Sequence, residues 1–407
     1  IPDARFPATL PAASAANLTA VPAANITGTL PAISGANLTN LPASGKAHNL
    51  VINGAMNVAQ RGTSSTSSGF KTVDRWHFGG SWPGSSMTQE QADVGYTTAP
   101  YDKGFRKSYK LTNSNQGSAS AGSNIEITYS FEGRDIAASG WDYVNSSAKI
   151  TLSFWIKSSV AQTFYGYFRT FEGTSAKYSF PIVCSTTGWE YKTVSIVGEG
   201  NFAQNVYNTF RMDNSRDLIL RIVPFYGTDY TDSGAINNAW QNYSSSNITP
   251  VYDTSWFLTN GATFELTGVQ LEIGDSASDF AHESYGETLM KCFRYYQLVA
   301  LGSEGSASGT SVPLISGAMY GTNHFYGVLD HKTRMRATPS LECVTGTNYY
   351  QVYRGGSQDS CDEVSTNNQS PEQSTLRMGG NLSGTSGAAG WARTNHASAR
   401  VALSAEL

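Results

Sequence analysis

The sequence contains Gly198, Gly200 and Ala203, which fit the G-x-G-x-x-A pattern of dinucleotide-binding turns. That chemistry needs a crossover helix, and an acidic residue at the end of the next strand to bind the ribose. Here the next predicted strand ends in residues 223–225, Val-Pro-Phe, and the neighbouring segments have antiparallel patterns. The G-x-G-x-x-A match therefore indicates a structural loop.

A second group, Ser276 with Asp279 and His282, has the residue types of a serine esterase. In such enzymes the serine block and the Asp-x-x-His block lie far apart in sequence and meet only in the fold. Here Ser276 and His282 share one short turn, which cannot supply nucleophile, oxyanion hole and oriented base together. We interpret the segment as a turn leading into a helix cap. The sequence also has no G-x-S-x-G, H-E-x-x-H or P-loop motif.

Paired carboxylates could hydrolyse a glycan if two of them faced each other about 5 to 10 Å apart across a groove. Glu126, Glu132 and Asp135 are close in sequence. However, Glu126 and Glu132 alternate onto the polar face of one predicted strand, where we expect them to be solvated. The sequence therefore predicts a protein that is not an enzyme.

Carboxylates could also hold a metal ion. Jelly-roll modules often bind structural calcium through carboxylate and carbonyl oxygens. If such an ion is present, its candidate ligands are Glu272, Asp275 and Asp279. We expect no other metal and no organic cofactor.

Aromatic residues among small polar ones are the stronger signal for binding. Sugar rings stack their C–H faces on Trp and Tyr, while Asn, Asp, Arg and Ser bond the hydroxyls. Trp82, Trp240 and Tyr243 are flanked by Gly, Ser and Asn, so we expect them to be exposed. The last hundred residues resemble an antibody paratope in composition. Their aromatic residues could be a recognition surface or a core between chains, and the binding candidates there are His324, Tyr326, Tyr349, Tyr350, Tyr353, Arg354 and Trp391.

The composition predicts an all-β protein. Charged residues are 14% of the 407, against roughly a quarter in ordinary globular proteins, and 40 Gly and 22 Tyr are present. Ser123–Glu132 and Lys149–Lys157 alternate with period two, and the second pattern places Trp155 on its polar face. In Thr263–Ile273 the alternation changes phase at Gly268, which predicts a β-bulge. We predict a jelly-roll sandwich over residues 46–281 and a β-sandwich tip over residues 303–407.

One helix is predicted between these two bodies. Ser284 and Glu287 form a capping-box pattern, apolar residues then recur at spacings of three and four, and Gly302 ends the pattern. We expect this helix to reach Leu301 and residues 282–302 to form a neck.

Residues 1–45 repeat Leu-Pro-Ala or Val-Pro-Ala every 9 to 11 residues. Each unit offers too few apolar side chains to bury a core alone. The segment is either a disordered linker or a shaft in which several chains wind together and build a common core along the axis from their Leu, Ile and Val side chains. In the second case, three-fold symmetry is favoured.

The charge, the apolar runs and the cysteines of the sequence argue against several classes of partner and of fold. A net charge of -4 without basic clusters argues against nucleic acid or anionic membrane. No apolar run approaches the roughly 20 residues of a membrane span. The four cysteines are too scattered for a disulfide scaffold, although Cys343 and Cys361 could pair. Because the sequence starts at Ile1 without a signal peptide, we expect a piece of a longer or processed chain.

Several segments resemble bacteriophage tail fibres. The start of their jelly-roll module is similar to two segments here, NLVINGAMNVAQRGTS (49–64) and VDRW (73–76). The end of that module and the helix after it are similar to FELTGVQLEIGDSASDFAHESYGETLMKCFRYYQ (264–297). MRATPSLE (335–342) and VALSAEL (401–407) resemble the tip domain, and the repeat resembles the shaft.

The resemblance implies a homotrimeric virion component that is assembled in the bacterial cytoplasm and works outside the cell. It would be joined to tail proteins through its N-terminal side and bind host surface polysaccharide or lipopolysaccharide. The helix would then be a three-helix neck with Leu289, Cys292, Phe293 and Tyr296 on the axis, unless it lies on its own sandwich. The alternatives to adhesion are a polysaccharide depolymerase and a purely structural fibre.

Overall fold

The computed structural model describes residues 49–82, 86–115, 117–204, 210–305 and 310–407. The repetitive segment predicted to form a shaft, residues 1–45, lies outside these ranges. The described chain is all-β, as predicted, and builds sandwiches of antiparallel sheets. In the described ranges no helix is long and apolar enough to cross a membrane.

The N-terminal sandwich, residues 49–273, is jelly-roll-like and has two facing sheets. Sheet I has the strand order β1-β3-β4-β12-β6-β9, and sheet II has the order β11-β8-β7-β10-β5-β2. The strands are β1 (Ser64–Ser65), β2 (Trp76–Ser81), β3 (Ser86–Asp93), β4 (Lys107–Asn115), β5 (Asn124–Glu132), β6 (Lys149–Ser158), β7 (Thr163–Thr170), β8 (Ala176–Val183), β9 (Trp189–Val197), β10 (Arg216–Tyr226), β11 (Trp240–Asn242) and β12 (Ala262–Ile273). Short helices interrupt them at α1 (Ala99–Asp102), α2 (Gly133–Ala137), α3 (Gly200–Ala203) and α4 (Ser255–Leu258).

The period-two patterns place the apolar side chains between these sheets. Along β6, Ile150, Leu152, Phe154 and Ile156 are all at most 2% exposed and belong to one large core. The predicted bulge is confirmed, because the β12–β6 register shifts between Thr267 and Gln270, and Gly268 has a φ of 62°.

The predicted helix begins as expected but ends early. Helix α5 spans Tyr285–Cys292, and its capping box is formed: Ser284 N donates to Glu287 Oε2 at 2.9 Å, and Glu287 N donates to Ser284 Oγ at 3.2 Å. The prediction that it reaches Leu301 is wrong, since residues Tyr296–Leu301 form strand β13. The reason is that β13 pairs with strand β22 (Arg400–Ser404), about a hundred residues later in the chain. This pairing provides partners for the backbone N–H and C=O groups of residues 296–301.

The C-terminal sandwich, residues 296–404, packs a three-stranded sheet against a seven-stranded one. The orders are β13-β22-β16 and β18-β17-β21-β14-β15-β20-β19. A 3₁₀ turn at Gly302–Glu304 follows β13. The remaining strands are β14 (Pro313–Met319), β15 (Phe325–Asp330), β16 (Ser340–Val344), β17 (Tyr350–Arg354), β18 (Ser357–Cys361), β19 (Glu363–Gln369), β20 (Gln373–Gly379) and β21 (Ala389–Thr394).

The predicted neck residues lie inside a single chain. Cys292, Phe293 and Tyr296 are 0%, 7% and 0% exposed, and only Leu289 among the four is partly accessible. This corrects the three-helix neck, because side chains buried by their own chain do not meet copies on an axis. The alternative, a helix lying on its own sandwich, agrees with the structure.

The cysteines are unpaired. All four are free thiols, so Cys343 and Cys361 do not form the disulfide that the sequence allowed. Cys343 instead directs its Sγ to the Val364 carbonyl oxygen at 3.4 Å, and Cys361 is buried in the core of the C-terminal sandwich.

Candidate functional site

The outer face of sheet I carries an aromatic pair. The register places Thr267, Trp155 and Tyr191 directly opposite one another on β12, β6 and β9. The Trp155 and Tyr191 ring centroids lie 5.2 Å apart with an interplanar angle of 49°. Tyr191 is 43% exposed and Trp155 is half-buried, so both rings present apolar surface to solvent. This is the surface on which a sugar ring stacks.

Two loops flank this pair and form a cleft of about 810 Å³. Residues 102–105 line it on one side, and residues 277–280 with His282 line it on the other. The Phe105 ring packs edge-on against Phe280 at 4.9 Å and lies 5.0 Å from His282. His282 Nε2 also lies 2.8 Å from the Lys103 carbonyl oxygen, which ties one loop to the other. Gly268 in the cleft floor is needed here, because a Cβ on it would lie 2.6 Å from Phe105 Cζ.

Buried polar side chains hold the second loop on the sheet. The Glu272 carboxylate accepts hydrogen bonds from Ser278 N at 2.9 Å, Ser278 Oγ at 2.6 Å and Gln270 Nε2 at 2.9 Å. Gln270 Oε1 in turn accepts from Ala281 N at 2.8 Å. The loop is therefore preorganised, which lowers the entropy cost of binding.

The cleft offers neutral and charged hydrogen-bonding groups. Asp102, Asp279, Ser153 and Ser278 contribute to its lining. Burial raises the pKa of Tyr191, partly opposed by a hydrogen bond with Ser153, so the phenol keeps its proton at neutral pH. A few polar groups around an apolar floor are the usual composition of a saccharide or other small-ligand site.

A second groove of about 430 Å³ lies on the same face of sheet I, beside Lys157 and Trp189. Trp189, two residues from Tyr191 on β9, has the Lys157 ammonium 5.9 Å from its ring, and Lys157 bonds Glu265 at 3.0 Å. Two grooves on one sheet face suit an extended chain of sugars better than a single ring.

The sequence-predicted calcium ligands are not brought together. Glu272 is 5% exposed and engaged by Ser278 and Gln270, whereas Asp275 and Asp279 are exposed. Across the described ranges, no three His, Cys, Asp or Glu side chains form a group that could hold a metal ion.

The other chemical motifs behave as structural turns. Gly200 begins α3, a four-residue helix, and the preceding strand β9 pairs antiparallel with β6, which is not a dinucleotide-binding arrangement. His282 contacts a backbone carbonyl in the cleft wall instead of activating Ser276.

The carboxylates of β5 are engaged rather than solvated. Glu132 is fully buried, which corrects our expectation, and accepts from Arg294 Nε and Nη2 and from Tyr295 OH, each at 2.6 Å. Burial opposes its ionisation, but these bonds outweigh burial and hold the Glu132 pKa below its usual range. Glu126 bonds Arg221 Nη1 at 2.9 Å and the Tyr226 hydroxyl.

The predicted aromatic residues of the N-terminal sandwich do not line the cleft. Trp240 is only 8% exposed and donates from Nε1 to the Val197 carbonyl at 2.8 Å, so the expectation of exposure is wrong. Trp82 is half-buried and stacks on Phe78 at 4.7 Å, and the half-buried Tyr243 ring lies 3.6 Å from the Arg169 guanidinium. Sequence reasoning missed Trp155 and Tyr191, although the alternation of β6 already placed Trp155 on a polar face.

In the C-terminal sandwich, the candidates separate into buried and accessible residues. Tyr350 is fully buried and donates to the Val344 and Arg400 carbonyls at 2.6 and 3.1 Å, so it belongs to the core and not to a surface. Tyr349 stacks on His396 at 4.1 Å, and Arg354 pairs with Asp359 at 2.8 Å.

The other candidates lie on the solvent side of the seven-stranded sheet. Trp391 is 39% exposed and stacks on Tyr353 at 4.9 Å. Tyr326 accepts from Asn367 Nδ2 at 3.1 Å, and His324 contacts Arg377.

Together, the folds and the cleft define an all-β protein of two sandwiches, with an aromatic-floored cleft on the first. No family model matches the chain, and no curated protein matches it. Among solved structures, it is similar to tandem CBM22 domains of Xyn10C from Paenibacillus barcinonensis, at 8% identity and a TM-score of 0.25, over 90% of this chain and 100% of that one. It is also similar to a protein from Bacteroides thetaiotaomicron that is named as a proposed sugar binding protein, at 9% identity and a TM-score of 0.28, over 56% of this chain and 100% of that one.

A third similarity is to the Stig cyclase Fisc from Fischerella, at 10% identity and a TM-score of 0.30, over 57% of this chain and 100% of that one. The first two structures are named for carbohydrate binding, and the third is named as a cyclase. Because all three TM-scores are below 0.5, none of these similarities carries an argument about what this chain binds.

Proposed function

We propose that this protein is a non-catalytic glycan-binding protein and that the cleft over Trp155 and Tyr191 is its saccharide site. The observation that carries the proposal is the pair formed by the exposed Tyr191 ring and the half-buried Trp155 ring on the floor of a preorganised cleft of about 810 Å³. Paired aromatic rings with a few fixed polar groups suit the alternating apolar and hydroxyl-bearing surfaces of a sugar.

We further propose that the protein is part of a bacteriophage tail fibre and attaches the virion to host polysaccharide or lipopolysaccharide. The support for this role is the sequence resemblance of residues 49–64, 264–297 and 335–342 to such fibres, together with the repeat in residues 1–45. In this role the chain would act as a homotrimer joined to the virion on its N-terminal side. Three copies would multiply a weak saccharide affinity into useful avidity.

A non-catalytic role is supported by the state of two buried carboxylates, Glu132 and Glu272. Hydrolysis of a glycan needs one carboxyl group kept protonated and a second one free to act as a base or nucleophile. Glu132 is held ionised by Arg294 and Tyr295, and Glu272 is committed to Ser278 and Gln270. Neither of these two groups is available for the task. Asp102 and Asp279 also line the cleft, and the assay for released reducing ends tests whether they act on a glycan.

The experiment is a glycan array of bacterial surface polysaccharides and neutral glucans, followed by calorimetric titration with the strongest ligand. Replacing both Trp155 and Tyr191 with Ala should weaken binding at least about tenfold, because two stacking contacts are lost. Tyr320→Ala is the matched control, since this tyrosine is 76% exposed and belongs to the C-terminal sandwich, away from both grooves of sheet I.

An array without any bound glycan would refute glycan binding, and unchanged affinity of the double variant would move the site elsewhere. Release of reducing ends from the bound polysaccharide would show that the protein is a depolymerase.

A further inference from the structure

The seven-stranded sheet of the C-terminal sandwich has one covered face and one open face. The covered face contributes Ile315, Phe325, Val352 and Leu376, all at most 6% exposed, to the core. The open face, defined by Tyr353, Trp391, Arg393 and Ser316, alternates with those residues along the same strands. Gln351 is also on this side of the sheet, but it is only 8% exposed and is bonded by Arg393. The open face is directed to solvent in the described chain.

Two rings on the open face form a fixed stack. Tyr353 and Trp391 are direct cross-strand partners on β17 and β21, with centroids 4.9 Å apart and planes within 10° of parallel. Tyr353 OH donates to Gln358 Oε1 at 2.5 Å, which orients its ring. The neighbour of Trp391 on β14 is the small Ser316, so this side of the indole is not covered by a large side chain.

A cation without a carboxylate partner lies beside this stack. Arg393 is two residues from Trp391 on the same strand and donates from Nη2 to Gln351 Oε1 at 2.8 Å and to Tyr353 OH at 2.7 Å. Its guanidinium lies 4.5 Å from the Tyr353 ring and 5.8 Å from the Trp391 ring. Within the described part of the chain, Arg393 makes no ion pair, whereas Arg354 on the adjacent strand is paired with Asp359.

This combination selects a class of ligand. An indole face stacks on the C–H face of a sugar ring, and a guanidinium held in place by neutral acceptors keeps its full charge for an anion. Since the whole chain carries a net charge of -4, an anionic polymer gains no general attraction and must be held by local groups.

We propose that the open face is a second saccharide site, specific for a sugar that carries a carboxylate, such as a uronic or sialic acid. The sugar ring stacks on Trp391, and its carboxylate accepts hydrogen bonds from Arg393. The site is separate from the cleft of the N-terminal sandwich and does not depend on the function proposed for that cleft.

The test is native affinity electrophoresis of the whole protein at physiological salt. The gels contain polygalacturonate, hyaluronan or polysialic acid, and the neutral control is fully methyl-esterified polygalacturonate. At least one acidic polymer should retard the protein, and the esterified polymer should not. Arg393→Gln and Trp391→Ala should each raise the dissociation constant at least about tenfold.

Two control variants match the changes in charge and in aromatic surface. Lys149→Gln removes one positive charge at an exposed position of β6, and Tyr96→Ala removes an exposed ring. Both should bind the acidic polymers like the unaltered protein. Unfolding midpoints of all variants verify that they are folded.

Several results would overturn the proposal. These are no retardation by any acidic polymer, equal retardation by the esterified polymer, or unchanged binding of Arg393→Gln. Loss of acid binding in the variant lacking both Trp155 and Tyr191 would place the anion in the cleft, and the function proposed for the cleft would still stand. A change in oligomeric state on Trp391→Ala would show that a second copy of the chain covers the face.

Discussion

Arg75 of the N-terminal sandwich donates to Glu406, next to the last residue of the sequence, at 2.6 Å, and their side chains are only 1% and 6% exposed. Arg75 also lies 3.4 Å from the Tyr295 ring, and Glu406 bonds Arg61 at 3.2 Å. Arg336 adds bonds to the carbonyls of Ala405 and Glu406 at 2.8 and 3.0 Å. The two sandwiches are therefore joined by a buried ionic network.

Glu406→Gln should destabilise the protein strongly, because it leaves Arg75 buried without its counter-ion. We expect a loss of about 3 to 5 kcal/mol in the free energy of unfolding. Denaturant unfolding measures it, with Glu372→Gln as the control. Glu372 pairs with Arg334 at the surface, where such a change costs less than about 1 kcal/mol. Equal effects of the two changes would contradict a buried network.

Asp74 should make stability depend on pH. Burial raises the pKa of Asp74 from 3.8 to about 6, although Arg61 and Gln60 act in the opposite direction. The folded state thus keeps a proton that the unfolded chain loses, so Asp74 lowers the free energy of unfolding as pH rises from about 4 to 6.

Asp74→Asn removes this contribution. Between about pH 4 and 6, the decrease in the free energy of unfolding should therefore be about 3 kcal/mol smaller for the variant than for the unaltered protein. Parallel pH profiles of the two proteins would show that folding does not raise the pKa of Asp74.

Gly268→Ala should damage both stability and the cleft. The glycine has a φ of 62°, and an added Cβ would lie 2.6 Å from Phe105 Cζ, which forms one cleft wall. Gly261→Ala is the matched control in the turn directly before β12, with a φ of 77° and nothing within 4 Å of an added Cβ. Each change should cost about 1 to 3 kcal/mol through backbone strain, but only Gly268→Ala should weaken glycan binding severalfold. If both variants bound the glycan equally well, the cleft wall formed by Phe105 would not contribute to glycan binding.

Trp240→Ala should act on folding and not on binding. Its indole is 8% exposed and hydrogen-bonded within the core, so its removal should cost about 3 to 5 kcal/mol. Trp391→Ala, on an open sheet face, should cost less than about 1.5 kcal/mol. Thermal and denaturant unfolding of both variants provide the comparison. A small effect of Trp240→Ala would return this residue to the list of surface candidates.

Local signals in the sequence predicted local structure well. The period-two patterns of β5 and β6, the bulge at Gly268 and the cap formed by Ser284 and Glu287 all depend on residues close in the chain. The end of α5 could not be predicted in this way, because residues 296–301 become a strand only by pairing with β22.

The candidate site was predictable only in part. Trp155 was assigned to a polar strand face, but its partner Tyr191 is brought to it by cross-strand register, and the cleft walls come from two distant loops. The prediction that Trp240 is exposed was wrong because it depended on its small polar neighbours. Such neighbours indicate a loop, but they do not show whether an aromatic ring in that loop points into the core.

The ladder between β13 and β22 has a further consequence. Tyr296 and Ser404 are direct partners in it, so the chain enters and leaves the C-terminal sandwich at one place. We expect that the C-terminal sandwich could be exchanged as one unit by recombination if the incoming segment kept β13, β22, Arg336 and Glu406, which carry contacts to the N-terminal sandwich. Binding specificity carried by the open face could then change in one step while the N-terminal sandwich stays intact.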